Sequence, residues 1–207
     1  MLNFCTFTSP LVGEVDARSA AGEGLGISST NKHMNIESLL KNYGSFFSDL
    51  LQRQKKIGID VPNHIPVSHF TYRVVTQSEY TNLRDQLKTF CAEFVETQFN
   101  GRAISILVLK NPLKLENDFS VSVIELPAPR AAHTYPSGFE SLGFVIGKQL
   151  PDFITQHKSV LTGIKDHGIY CQPAFVTFDN DKTSKFYDIS LLEIINLQGW
   201  RLQMLKS

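Results

Sequence analysis

Two side chains far apart in the chain, His69 and Glu125, are the first pair able to do chemistry together. Each falls in a stretch that reads as β-strand, on the side a curved sheet would turn toward a cavity. A neutral imidazole with a carboxylate is a usual start for a divalent-metal site. With no cysteine ligands, the pair suits zinc, iron, manganese or nickel alike. The plainer alternative is a hydrogen-bonded core histidine and a carboxylate at a strand end. Arg73 shares the face of His69, with Thr71 between them. Its guanidinium could clamp a substrate carboxylate or phosphate through two N–H groups, or pair with Glu125 or another strand carboxylate. Ser141 would line the same cavity from a later strand, and Glu125 or Glu140 would serve as the catalytic base. Adjacent strand residues point to opposite faces, so Glu140 reaches the side of Ser141 only if a bulge turns it. His133 and Tyr135 lie in a loop that could close the rim. Lys185 and Tyr187 alternate with Phe186, and spacing alone assigns them no face.

Positioning these groups falls to a recurring set of elements. Residues 67–75 are rich in Val, Phe, Thr and Tyr, contain no Gly or Pro, and read as a strand. Before it, Leu39, Leu40, Tyr43, Phe46, Phe47, Leu50 and Leu51 recur at three and four, so residues 35–56 read as one helix. Residues 78–99 read as a second helix, with Tyr80, Leu83, Leu87, Cys91, Phe94 and Val95 inward and Asn100-Gly101 ending it. Strands are expected at 103–109, briefly at 113–115, and at 119–126, where Phe119, Val121, Val123 and Glu125 share a face. A strand at 139–146, a helix at 151–161 and strands at 174–178 and 183–187 follow, with a closing helix at 189–197. The order is helix, then strand–helix–strand–strand–strand, then that unit again: an internal repeat. Ser68 to Val74 aligns with Glu140 to Ile146, through element order and apolar placement rather than identity.

Composition narrows the function classes. Among 207 residues, twenty basic and twenty acidic side chains cancel, and no Lys/Arg cluster stands out. That argues against a nucleic-acid binder, whose affinity comes from grouped positive charge. Apolar runs are too short to span a bilayer. Cys5, Cys91 and Cys171 are scattered and odd in number, so free thiols and a cytoplasmic setting are expected. Residues 1–33 lack periodicity and read as a disordered tail, with Met34 a candidate true start. Residues 34–198 read as one domain, with modules at 64–130 and 137–198, and 199–207 as a C-terminal tail.

The runs His69-Phe70-x-x-Arg73, Glu125-Leu126-Pro127-x-Pro129, Tyr135-Pro136-x-Gly138-Phe139-Glu140 and Asp181-x-Thr183-x-x-Phe186, with Gly58-x-Asp60 before them, resemble the YecM-like family. That family lies near the vicinal oxygen chelate proteins, which include glyoxalase I, methylmalonyl-CoA epimerase, ring-cleaving dioxygenases and bleomycin-resistance proteins. The resemblance covers roughly residues 35–198. It implies an α+β fold in which two βαβββ modules form a curved mixed sheet around a pocket, with an N-terminal helix. It also implies metal ligands on the first and last strands of each module, and a metal that steadies an enolate or similar oxyanion. Carried onto this chain, His69 is the first-strand ligand and Glu125 the last-strand ligand of module one. Module two departs: Glu140-Ser141 stands where a second histidine would follow a glutamate, and Phe186 and Tyr187 stand where a carboxylate is wanted. The resulting expectation is a small-molecule-binding protein. It acts as a metal-assisted isomerase, epimerase or lyase on an anionic oxygenated substrate, or as a non-enzymatic binder with a degraded metal site. Related folds pair modules between chains, which makes a homodimer compatible.

Overall fold

The computed structural model of the chain describes residues 35–99, 101–130, 135–165 and 170–205. The tail at 1–33, the start at Met34 and the rim residue His133 lie outside them. Two short-loop-linked helices, α1 (Ile36–Leu39) and α2 (Tyr43–Lys56), open the described chain. The first module follows as β1 (Val67–Arg73), α3 (Gln77–Lys88), β2 (Cys91–Phe99), β3 (Arg102–Lys114) and β4 (Ser120–Pro127). The second repeats it as β5 (Gly138–Val145), α4 (Leu150–His157), β6 (Gly163–Ile164), β7 (Ala174–Thr177) and β8 (Thr183–Tyr187). Helix α5 (Leu191–Leu197) and strand β9 (Gln203–Met204) close the chain.

The nine strands of the described residues form one mixed sheet in the order β6-β7-β8-β5-β1-β4-β3-β2-β9. In each module the first strand runs parallel to the last: β1 beside β4, β5 beside β8. The modules meet through antiparallel β1 and β5. The result is an approximate two-fold relation about the β1–β5 seam, so the repeat read from element order is a repeat of topology.

The two faces of the sheet differ. Phe70, Leu126, Leu142, Phe144 and Phe186 join the large apolar cluster that also takes side chains from α2, α3 and α4. Phe47 of α2 packs between Phe70, Phe119 and Phe144, and Phe153 of α4 lies 4.5 Å from Phe186. A buried polar tie, Gln54 Nε2 to Ser184 Oγ at 2.7 Å, fixes α2 over β8. Helix α5 packs on the other face. Its Leu191, Ile194 and Ile195 cluster with Ile106, Val123 and Tyr187, starting from a capping box in which Ser190 and Glu193 each satisfy the other's backbone N–H.

Three local readings are corrected. The opening helix is broken, since Asn42 takes a left-handed conformation (φ 65°) ahead of Tyr43. The second helix stops at Lys88, and residues 91–99 are strand β2, hairpinned with β3. Cys91 therefore opens a strand rather than sitting in a helix, and Phe99 at the far end of that strand pairs with Arg102 of β3. The strands expected at 103–109 and 113–115 are one strand, β3, with a register slip between Val108 and Leu113 around Asn111-Pro112. Cys91 is a free, buried thiol pushed up to about 12 by burial. Cys171 is disulfide-bonded, so the expectation of free thiols fails there. No helix among the described residues is long and apolar enough to cross a membrane.

Candidate functional site

Strand register brings the predicted residues together on the face opposite α2. Thr71 pairs with Glu125 across the parallel β1–β4 ladder and with Ser141 across the antiparallel β1–β5 seam. The three side chains form a directed chain. Ser141 Oγ donates to Thr71 Oγ1 at 2.8 Å, and Thr71 Oγ1 donates to Glu125 Oε2 at 2.7 Å. That same Oε2 lies 3.9 Å from His69 Nε2. The imidazole and the acid therefore face each other on neighbouring strands, at a separation longer than a hydrogen bond.

Two bulges complete the arrangement. The β1–β5 ladder skips Ser68 between Val67 and His69, and skips Glu140 between Thr71 and Tyr72. Freed from alternation, Ser68 Oγ accepts the backbone N–H of Leu191 at 2.9 Å and meets His69 Nδ1 at 2.9 Å, tying the ring to the start of α5. The second bulge supplies the condition that sequence set for Glu140. Its carboxylate is buried and ion-paired with Arg73. Arg73 is thus engaged by a strand carboxylate, and its guanidinium also covers the Tyr135 ring at 4.8 Å.

Gly143, which sequence reasoning missed, and Lys185, which it left without a face, shape the centre. Gly143 pairs with His69, and a Cβ there would sit 2.9 Å from both His69 Cε1 and Tyr187 Cε2. The two rings occupy the space that a side chain would fill, with centroids 5.5 Å apart. Lys185 pairs with Gly143 across β5–β8 and is 1% exposed. Thr183, Lys185 and Tyr187 share the face of Ser141 and Gly143, while Phe186 turns to the helices. The register also corrects which residue matches Glu125. The two-fold relation maps His69 onto Ser141 and Thr71 onto Gly143. Glu125, the partner of Thr71, therefore maps onto Lys185, the partner of Gly143, rather than onto Phe186 or Tyr187. The offset from first strand to last strand within module one is the signal that would have found it.

Electrostatics follow from burial. Desolvation pushes the Glu125 carboxyl up to about 7, opposed by Lys185 and the Thr71 hydrogen bond and reinforced by Glu140. Desolvation, then the Lys185 charge, pulls His69 down to about 3, so the ring is neutral at neutral pH. Burial also lowers Lys185, against the pull of Glu140 and Glu125. Lys165 is brought down to about 7 by burial and next by Lys185. Arg102 acts on Glu125 and Lys185, and Arg130 on Glu140, so cationic side chains among the described residues act on both carboxylates. Glu125 Oε1 and Glu140 Oε2 are buried and meet no donor among the described residues.

A divalent metal fits this set poorly. Among the described residues no three of His, Cys, Asp and Glu come together as ligands. His69 and Glu125 are two donors. Glu140 is held by Arg73, the Ser141 hydroxyl is spent on Thr71, and the fourth symmetric position carries an ammonium.

A solved structure described as structural genomics protein EC4020 superposes with a TM-score of 0.60 at 21% identity, covering 81% of this chain and all of that one. The fosfomycin resistance protein FosX from Mesorhizobium loti aligns with a TM-score of 0.23 at 14% identity, over 62% of this chain and 95% of that one. An uncharacterised protein of Haemophilus influenzae is 27% identical over 117 residues, which is 56% of this chain and 60% of that relative's length. Residues 35–196 match the family model described as YecM protein, and the chain belongs to that family.

Proposed function

We propose that the polar face of the sheet binds a small, oxygen-bearing anion that also donates hydrogen bonds. The reading rests on one observation: Glu125 Oε1 and Glu140 Oε2 are buried and meet no donor among the described residues, while cationic side chains act on both carboxylates. A buried acceptor left unmade costs about 1–3 kcal/mol, more when charged, so a hydroxyl or water of a ligand is the natural complement. The surrounding cations select an anionic group on the same molecule. Its chemistry would be proton transfer beside an oxygen-bearing carbon, as in an isomerase, epimerase or lyase. Glu125, held near neutrality, would be the base, and Lys185 the partner of the developing oxyanion. Thr71 and Ser141 would hold Glu125 in place rather than touch the ligand.

Thermal shift against 2-hydroxy carboxylates and hydroxyphosphonates tests binding, with their neutral esters and deoxy analogues as controls. Hydroxylated anions should raise Tm while both control sets leave it unchanged; a flat panel would sink the reading. Exchange of the α-hydrogen of a stabilising anion in D2O, followed by NMR and lost in Glu125→Gln, tests the proton transfer. A binding-only function is favoured by Ser141 at the position symmetric with His69, and it predicts stabilisation without exchange.

A further inference from the structure

We infer that the Lys185 ammonium is the resident cation of this site, and that the site takes its ligand without a divalent metal. The inference deepens the proposed function and rests on the same side chains, though not on the identity of any ligand.

Register carries it. In module one, the last-strand position opposite Thr71 is a carboxylate, Glu125. In module two, the position opposite Gly143, the symmetric counterpart of Thr71, is Lys185. One half of the seam therefore presents an acid and the other a base at the same height. Gly143, between the two ladders, lets the His69 and Tyr187 rings close over it, since a Cβ there would sit 2.9 Å from each. Lys185 is sealed from solvent, and its charge acts on His69, Glu125, Glu140 and Lys165. A buried ammonium needs negative charge nearby, and Glu140 and then Glu125 favour the charged form of Lys185 against desolvation. A divalent ion held by His69 and Glu125 would have to share their surroundings with that ammonium, and like charges in a water-poor interior repel strongly. The ammonium also supplies what an ion would: a fixed positive charge for an anionic oxygen, with N–H donors to orient it. It supplies one point of attraction, so the site suits a ligand held through a single anionic oxygen there, with its hydroxyl turned to the carboxylates.

The experiment uses the full chain without a histidine tag, stripped with chelator, and reads Mn²⁺ binding directly by electron paramagnetic resonance and Zn²⁺ binding by calorimetry. Wild type should bind neither ion at stoichiometry. Lys185→Glu, which makes the last-strand positions symmetric, should bind Mn²⁺ at least about 100-fold more tightly, and adding His69→Ala should abolish the gain. If Lys185→Glu does not fold by circular dichroism, Lys185→Gln serves. Removing the charge alone should raise affinity about tenfold. One equivalent of metal on the wild type, lost in His69→Ala, overturns the inference. So does a folded Lys185 variant with no gain. No organic ligand is present in these titrations, so their failure leaves the anion-binding reading standing, and a flat ligand panel leaves the resident cation standing.

Discussion

At His69 and Glu125 two titrations oppose each other. Burial lowers the imidazole from 6.5 to about 3 and raises the carboxyl from 4.5 to about 7. Between pH 4.5 and 6.5, unfolding lets His69 take up a proton and makes Glu125 release one. A depressed histidine makes stability rise with pH across that window. A raised carboxyl makes it fall, because the folded state holds the extra proton. In the wild type the two slopes nearly cancel. His69→Gln should leave the Glu125 slope alone, so stability falls by about 1 kcal/mol per pH unit through the window. Glu125→Gln should leave the His69 slope, of similar size and opposite sign. Urea unfolding of the three proteins across this range checks it, and parallel curves would refute the assigned shifts. The residue types at this pair were plain in sequence, and so was the face they share. Their separation of 3.9 Å was not, because it depends on the parallel pairing of β1 with β4 across 54 residues.

Within the strands, one atom sets the shape of the site. Gly143→Ala would drive a methyl group into the His69 and Tyr187 rings, and backbone or rings must move. The expected cost is about 1–3 kcal/mol, with a changed chemical shift for the His69 ring proton on Cε1. Gly44 of α2 is the control. A Cβ there meets nothing within 4 Å, so Gly44→Ala should be stabilising by about 0.5–1 kcal/mol through helix propensity. Equal effects at both glycines, read by thermal and urea denaturation, would contradict the packing account. Elements were legible to different depths for physical reasons. The hairpin of β7 and β8 was readable because its turn at Asp179-Asn180-Asp181 is local chemistry. Strand β2 was misread because Leu87, Cys91 and Phe94 continue the helical spacing of α3 past its end. What ends the helix is Lys110 N–H reaching Phe90 O, a contact that no window of residues 78–99 contains. The bulges at Ser68 and Glu140 were unreadable for the same reason: a bulge is a property of a pair of strands.

Across the whole sheet, both open ends are two-residue strands, β6 at one side and β9 at the other. Short edges of this kind resist pairing with another chain. The segment carrying β9, read from sequence as a tail, also brings Trp200 and Leu202 onto the cluster of Leu191, Ile194 and Ile195. Deleting residues 199–207 should cost about 2–4 kcal/mol from lost apolar burial and bare β2 at Glu93 and Phe94, where β9 pairs with it. A lower Tm with light scattering that grows with protein concentration is the expected result; an unchanged melt would show that the segment does not protect the edge. The seam between β1 and β5 has another consequence. It joins the halves of the site within a single covalent chain, since His69, Glu125, Ser141 and Lys185 all come from one polypeptide. Extreme dilution, which takes apart a site built between subunits, leaves this arrangement whole at any abundance of the protein.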